Sequence, residues 1–437
     1  MRSDTRLTAL FDTLEAGPAF EQRGKVRAAI GTAIRVSGVT VRIGDICELT
    51  SPAGRHSLLA EVVGLSEHEA ILSPMGDLRG LSGETEVLVR VGEDRVPVSS
   101  ALLGRVMDAR LQPLDGLPPV ETPASQPLYA AAPNPMERQR IDRQVETGVR
   151  AIDGLLPLGR GQRIGVFAAA GGGKSTLLGT LARQAQADVI VIALIGERGR
   201  EVREFIEDNL GAEGLARSVV IASTSDRPAL ERARAAHAAT AIAEGFRAEG
   251  KHVLLLMDSV TRFARALREI GLASGEPPVR RGFPPSVFAE LPRLFERAGC
   301  DARGAITGIY TILLEDEEDD PVGEEVRSLL DGHVILSRKL AARGHYPAID
   351  ILVSQSRLMG QLVEEGERRA ALSFRAMLAK LDEIELLLQV GDYRPGQDAL
   401  ADRAIARRDE MDRFLRQSTH EAAPLLMTRT LLRGFEG

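Results

Sequence analysis

Glycine, lysine and a hydroxyl in immediate succession can hold a phosphate, and Gly171, Gly172, Gly173, Lys174, Ser175 and Thr176 form one unbroken run. Glycines let backbone N–H groups turn toward a polyanion without Cβ clashes. The Lys174 ammonium can reach the outer phosphates of a nucleotide, and the Ser175 hydroxyl can ligate Mg²⁺. The surrounding residues 164–178 read I-G-V-F-A-A-A-G-G-G-K-S-T-L-L. The apolar run 164–167 predicts a buried parallel strand, and Ser175 opens a helix whose dipole adds positive potential. The strict pattern G-x-x-x-x-G-K-[ST] has Ala168 in its first place here. A glycine-rich turn with an incidental lysine would read the same, so other residues must decide.

Three further positions have types that suit phosphoryl chemistry. Asp258 closes the apolar run 254–257, where a carboxylate can hold metal-bound water beside a phosphate loop. Glu197 follows the apolar run 188–195, where it can orient or deprotonate an attacking water; Arg198, Arg200 and Glu201 lie beside it. Arg357 follows the run 349–353, and an arginine can neutralise charge on a transferring phosphoryl group. Each has an ordinary alternative: a carboxylate ending a strand, a solvated charged turn, a surface arginine.

These residues need elements that bring them together. From residue 164 onward strands alternate with helices. Strands are expected at 188–195, 219–222, 253–257, 305–314, 333–337 and 349–353. Helices are expected after Lys174, up to about residue 209, and over 228–250, with Pro228 in the first turn and Asp226 or Ser225 as cap. Such alternation implies an α/β fold, a parallel sheet covered on both faces. Before it, residues 25–98 carry short β-rich runs at 39–43, 61–65, 70–72 and 86–91 between turn signals, the pattern of a small antiparallel barrel. Residues 99–160 form a proline-rich connector with a short helix near 148–156. Beyond residue 358 the pattern is helical and charged, through 364–390 and 398–417. Residues 4–23 could form an amphipathic docking helix through Leu7, Leu10, Phe11 and Leu14, interrupted at Gly17-Pro18, or a frayed tail. The expected division is therefore 1–24, a tail or docking helix; 25–98, the barrel; 99–360, the nucleotide-binding domain; and 361–437, a helical domain.

The 437 residues carry a net charge of −7, with 4 % aromatics and no tryptophan. Bulk attraction to nucleic acid is not indicated, and a base-stacking surface is disfavoured. Cys47 and Cys300 lie far apart without metal-type spacing and read as reduced thiols. No signal peptide is visible, and the longest apolar runs are too short to span a bilayer.

Several long motifs resemble those of the secretion ATPases of type III export systems. They are G-E-R-G-R-E-V-R-E-F-I-E-D-N-L-G at 196–211, and M-D-S-V-T-R-F-A-R-A with G-E-P-P-V-R-R-G-F-P-P-S-V-F-A-E-L-P-R-L within 254–297. D-G-H-V-I-L-S-R at 331–338 and H-Y-P-A-I-D at 345–350 match too. The resemblance covers about residues 25–420, and the family is similar to the catalytic subunits of rotary ATP synthases. It implies a RecA-like P-loop core, with Gly171, Gly172, Gly173, Lys174, Ser175 and Thr176 on the phosphates of ATP and on Mg²⁺. Glu197 would be the catalytic carboxylate, and Arg198 and Glu201 would support the phosphate and metal-water shell. Asp258 would be the metal-side acid with Arg262 beside it, and Tyr346 would stack on adenine. Arg357, in S-Q-S-R, would be the finger supplied to a neighbouring subunit, most readily in a homohexameric ring.

The resemblance also implies partners. Loop 275–285, with Arg280 and Arg281, would face a coiled-coil stalk in the ring centre. The N-terminus would meet a stator-like regulator, and the C-terminal domain chaperone–substrate complexes. The protein would be cytoplasmic, peripheral at the inner face of the inner membrane and in contact with the export apparatus, without nucleic acid. It would hydrolyse ATP to release chaperones and promote unfolding of exported proteins. E-L-L-L-Q-V-G-D-Y at 385–393 and Q-S-T-H-E at 417–421 look more like the injectisome branch than the flagellar one. Departures are Ala169 and Ala170 for a common Gly-Ser, Gly172 for Val, a shortened acidic run at 315–320, and Gln355 before the finger. The alternatives are a flagellar export ATPase, a rotary ATP synthase subunit, an RNA translocase of the transcription-termination type, and a non-motor nucleotide-binding docking platform.

Overall fold

The computed structural model describes residues 22–51, 57–90, 94–169, 171–314 and 320–436. The helix expected over 4–23 therefore falls outside the described residues except for its last two, as do Ala170 and all but Asp320 of the acidic run 315–320. Contacts divide the chain into two compact units, 1–94 with 269–276, and 95–268 with 277–437.

The first unit is a closed six-stranded barrel. Its strands are β1 (Gly24–Ile30), β2 (Ala33–Ser37), β3 (Ile46–Thr50), β4 (Ser57–Leu65), β5 (Ala70–Pro74) and β6 (Glu86–Arg90), in the order β1-β2-β5-β4-β3-β6. Alternation drives it: β2 turns Ile34 and Val36 inward and Arg35 outward, and β3 buries Cys47 and Leu49. Closure leaves no unpaired edge. Residues 39–43, expected as a strand, are irregular. The Arg42 N–H donates to the Asp45 carboxylate at 2.7 Å, and Gly44 has φ 93°, so the segment closes a turn. Val39 and Val41 still pack on the barrel core, which is why the run looks strand-like in sequence.

The second unit is built on a nine-stranded sheet. Its strands are β7 (Val106–Met107), β8 (Arg163–Ala168), β9 (Val189–Ile195), β10 (Ser218–Ser223), β11 (His252–Asp258), β12 (Gly299–Cys300), β13 (Ala305–Leu313), β14 (Gly332–Leu336) and β15 (Ile349–Ser356). Eight lie in the order β15-β14-β8-β13-β11-β9-β10-β7, and β12 pairs with β13. All ladders from β14 through β7 are parallel, whereas β15 and β12 run antiparallel to their neighbours. The sheet is thus mixed, not parallel throughout. Every residue of β9, β10 and β11 is buried, as expected of strands covered on both faces. The connector also contributes β7, an edge strand that its proline-rich composition concealed.

The helices used below are α1 (Arg150–Leu155), α2 (Lys174–Gln184), α3 (Ala229–Ala248), α4 (Pro285–Phe295), α5 (Glu365–Glu383), α6 (Ala399–Ala406), α7 (Arg408–Leu415) and α8 (Leu425–Arg433). Pro228 is the residue before α3, which has no side-chain cap, so neither Asp226 nor Ser225 caps it. Phe374, Phe414 and Phe435 bring α5, α7 and the end of α8 together, with ring centroids 4.8–6.1 Å apart. They join the same core as Ile152 of α1 and Leu178 of α2. A Cβ on Gly154 would come 2.9 Å from Phe414 Cζ, so only glycine allows α1 to approach this closely. The helices after residue 361 therefore share a compact unit with the sheet.

Candidate active site

Parallel register places three loops at one edge of the sheet. Ala168, the last residue of β8, lies opposite Leu313 and Leu336, and Leu194 of β9 lies opposite Asp258 of β11. The loops after β8, β9 and β11 consequently converge.

Gly171 (φ 79°) and Gly173 (φ 82°) both occupy the left-handed region, and a Cβ on Gly171 would meet no atom within 4 Å. The backbone is turned and open on one side, as a cradle for an anion requires. Gly173 caps α2, so Ser175 and Thr176 fall in the first turn, exposed, where helix N–H groups and dipole favour negative charge.

Lys174 reaches back from this turn. Its ammonium donates to Glu197 Oε1 at 3.3 Å and to Asp258 Oδ1 in a shorter contact. The three side chains are 11 %, 14 % and 3 % exposed, so the triad is largely removed from water. Burial lowers the Lys174 pKa, but the Asp258 and Glu197 charges outweigh it and the net direction is upward. Burial and then the Asp258 charge push the Glu197 carboxyl up to about 7, against the opposing pull of Lys174. The Thr311 hydroxyl, from β13, donates to Asp258 Oδ1 at 2.7 Å and fixes that carboxylate. Arg262 packs under Gly196, where a Cβ would lie 3.0 Å from the Arg262 side chain, and its buried Nε has no hydrogen-bond partner.

Other expected residues are placed less centrally. Arg198 is 76 % exposed and pairs with Glu201 at 3.6 Å, one turn into the helix Gly199–Glu204. Tyr346 is half exposed and faces the loop, its Cε1 3.4 Å from where a Gly173 Cβ would be. With Thr176, Gln417, Ser418 and Thr419 it lines a small cavity, and the Gln417 N–H donates to its carbonyl at 2.9 Å.

Arg357 is not brought to this cluster. Its N–H donates to the Asp331 carbonyl, and the Asp331 N–H donates to Arg163, the first residue of β8. The phosphate loop follows the last residue of that six-residue strand, so about 16 Å of strand separates the two edges. The exposed Arg357 guanidinium donates to the Arg327 carbonyl at 3.2 Å. Arg280, in the loop expected to face a stalk, is paired with Glu324 and Glu325 at 3.5 and 3.3 Å.

Sequence reasoning missed Thr311 and the lining role of residues 417–419. Thr311, one of two threonines in the largely apolar strand 305–313, was the available signal for the first. The second had none, because it depends on how the chain returns from α7.

Family models match the same layout. Residues 26–89 match the beta-barrel domain of the ATP synthase alpha/beta family, residues 148–356 its nucleotide-binding domain, and residues 363–434 the T3SS EscN ATPase C-terminal domain. Fold and site together define an ATPase on the ATP synthase alpha/beta plan. A Type 3 secretion system ATPase of Xanthomonas euvesicatoria is 55 % identical over 98 % of this chain and 97 % of its own. A flagellum-specific ATP synthase of Treponema pallidum is 48 % identical over 94 % of this chain and 92 % of its own. The solved structure of the assembled ATPase EscN in complex with its central stalk EscO, from enteropathogenic E. coli, is 47 % identical. It superposes with a TM-score of 0.88 over 95 % of this chain and 100 % of that one. The chain belongs to the family of type III secretion ATPases, and hydrolysis of ATP is its activity. Among the described residues no helix is long and apolar enough to cross a membrane.

Proposed function

We propose that the chain is the Mg-ATP-hydrolysing subunit of a homohexameric motor for type III export, with sites completed between neighbours. The observation that carries this reading is the separation within one chain: Lys174, Glu197 and Asp258 at one edge of the sheet, Arg357 at the other. An arginine needed at a phosphate, yet held about 16 Å of strand away, would serve the site of the next subunit.

The residues present fit a nucleotide with Mg²⁺. The open Gly171 turn, the helix start and the partnerless Arg262 Nε suit an anion. Mg²⁺ takes only one or two protein ligands beside phosphate oxygens. Ser175 and Asp258 would hold it, with Glu201 on its water shell. Mg²⁺, when bound, supplies positive charge to the phosphate oxygens. The N–H groups of residues 171–173 and Thr176 would bind the phosphates, and Lys174 would leave its two carboxylates for them. Glu197, freed, would take the proton of the attacking water. Arg198 would lie at the outer rim and Tyr346 would stack on the base.

In the same reading residues 361–437 meet the chaperone–substrate complexes that the motor releases and unfolds, and loop 275–285 meets a coiled-coil stalk, as the assembled ATPase EscN has its central stalk EscO. It assigns a stator-like regulator to residues 1–24, and a peripheral, cytoplasmic place at the inner membrane, without nucleic acid. Lys174→Ala tests the motor against a non-motor docking platform. Turnover is expected to fall at least about a hundredfold, with export lost in cells. Export sustained by a folded Lys174→Ala protein would favour the platform.

A further inference from the structure

The Arg357 backbone is held from beneath by one buried amide. Gln162, in the turn before β8, is completely buried. Its Oε1 accepts the Gly159 N–H at 2.7 Å, and its Nε2 donates to the Asp331 carbonyl at 3.1 Å and to the Ser356 hydroxyl at 3.4 Å. The Asp331 carbonyl is the same atom that accepts the Arg357 N–H, at 3.0 Å. Ser356, the residue before Arg357, passes its hydroxyl proton on to the Pro157 carbonyl at 2.7 Å. Gln162 thus touches the carbonyl that holds the Arg357 N–H and the side chain of the residue before it, and through Gly159 and Pro157 ties them to the segment leading into the phosphate-loop strand. Asp331 is fixed independently, its carboxylate accepting the Arg163 N–H at 3.0 Å and the Arg163 Nε at 3.2 Å.

The edge strand β15 shows a register irregularity between His333 and Ile335 of its partner, and Arg375 of α5 holds its Leu352 and Ser354 carbonyls, but not the end that carries Arg357. A guanidinium serving another subunit must start from a fixed backbone, since a misplacement of about 1 Å can cost around a hundredfold in rate.

We propose that Gln162 is a positioning residue for Arg357: its amide locks the β14–β15 end so that the arginine projects in one direction toward the neighbouring site. The proposal rests on the between-subunit reading given above. A positioning role differs from that of a merely structural buried amide in its readout: the loss should run through Arg357 and leave KM for ATP unchanged.

The test compares Gln162→Leu, Arg357→Ala and the double variant in the assembled full-length protein, with Ser356→Ala as a milder probe should Gln162→Leu fold poorly. The expected result is a kcat lowered at least about tenfold with KM for ATP unchanged. The double variant should be no slower than Arg357→Ala alone. Ser356→Ala should show a smaller loss of the same kind. An inactive Arg357→Ala beside a folded, assembled Gln162→Leu of wild-type rate would overturn the proposal and spare the between-subunit reading. So would a rise in KM, or losses that multiply in the double variant. An Arg357→Ala of wild-type rate would overturn both.

Discussion

The side chain that draws the site together is Lys174, held between the carboxylates of Glu197 and Asp258. An ammonium so paired is ordered rather than free, and its partners share its charge until an anion competes for it. The two thiols illustrate the opposite case. Burial, and secondarily Asp45, pushes the Cys47 thiol up to about 11, and burial also raises Cys300. Only the thiolate reacts, so a raised pKa means protection below it. Iodoacetamide at pH 8 should leave Cys47 unmodified in the folded protein and label it fully in denaturant, as mass spectrometry of peptides would show. Labelling of the native barrel at the rate of an unfolded peptide would contradict the burial described here. At this scale much was legible: the Gly-Lys-Ser run, and the two carboxylates each ending an apolar run. Thr311 was not, because a hydroxyl in a strand has no visible partner until the register sets it beside Asp258.

Elements hold the site through their buried joins as much as through strands. Arg297, following α4, is 2 % exposed and forms a bidentate pair with Glu244 of α3 at 2.7 and 2.9 Å. It also donates to the Leu128 carbonyl of the connector at 2.8 Å. Removing the cation leaves Glu244 buried and uncompensated. Arg297→Ala should therefore destabilise the protein by about 3–5 kcal/mol in urea unfolding. A loss below about 1 kcal/mol would mean that the pair is solvated like a surface bridge. Most strand positions, and the parallel direction of the strands from β14 through β7, could be anticipated from apolar runs alternating with helices, yet the reversal of β15 could not. The run at 349–353 carries no mark of antiparallel pairing, and that reversal is what puts Arg357 at the far edge. Residues 39–43 misled in the other direction, since apolar alternation there serves a loop packed on the barrel. Helix α8 went unread because a short segment after a charged stretch offers little periodicity.

For the whole molecule, the proposed reading makes this a chain that carries both halves of a site without joining them. Turnover should therefore depend on assembly. The motifs already implied a ring, but the physical ground for it, an arginine across the sheet from its own phosphate loop, exists only in three dimensions. The measurement that bears most directly on this is the Mg-ATPase rate per subunit against protein concentration, for wild type and Arg357→Ala, with oligomer size followed in parallel. The account predicts a specific activity that rises with assembly in the wild type. Arg357→Ala should assemble equally well and hydrolyse ATP at least about a thousandfold more slowly. A rate independent of concentration and indifferent to Arg357 would contradict it, and would mean that each chain completes its site alone.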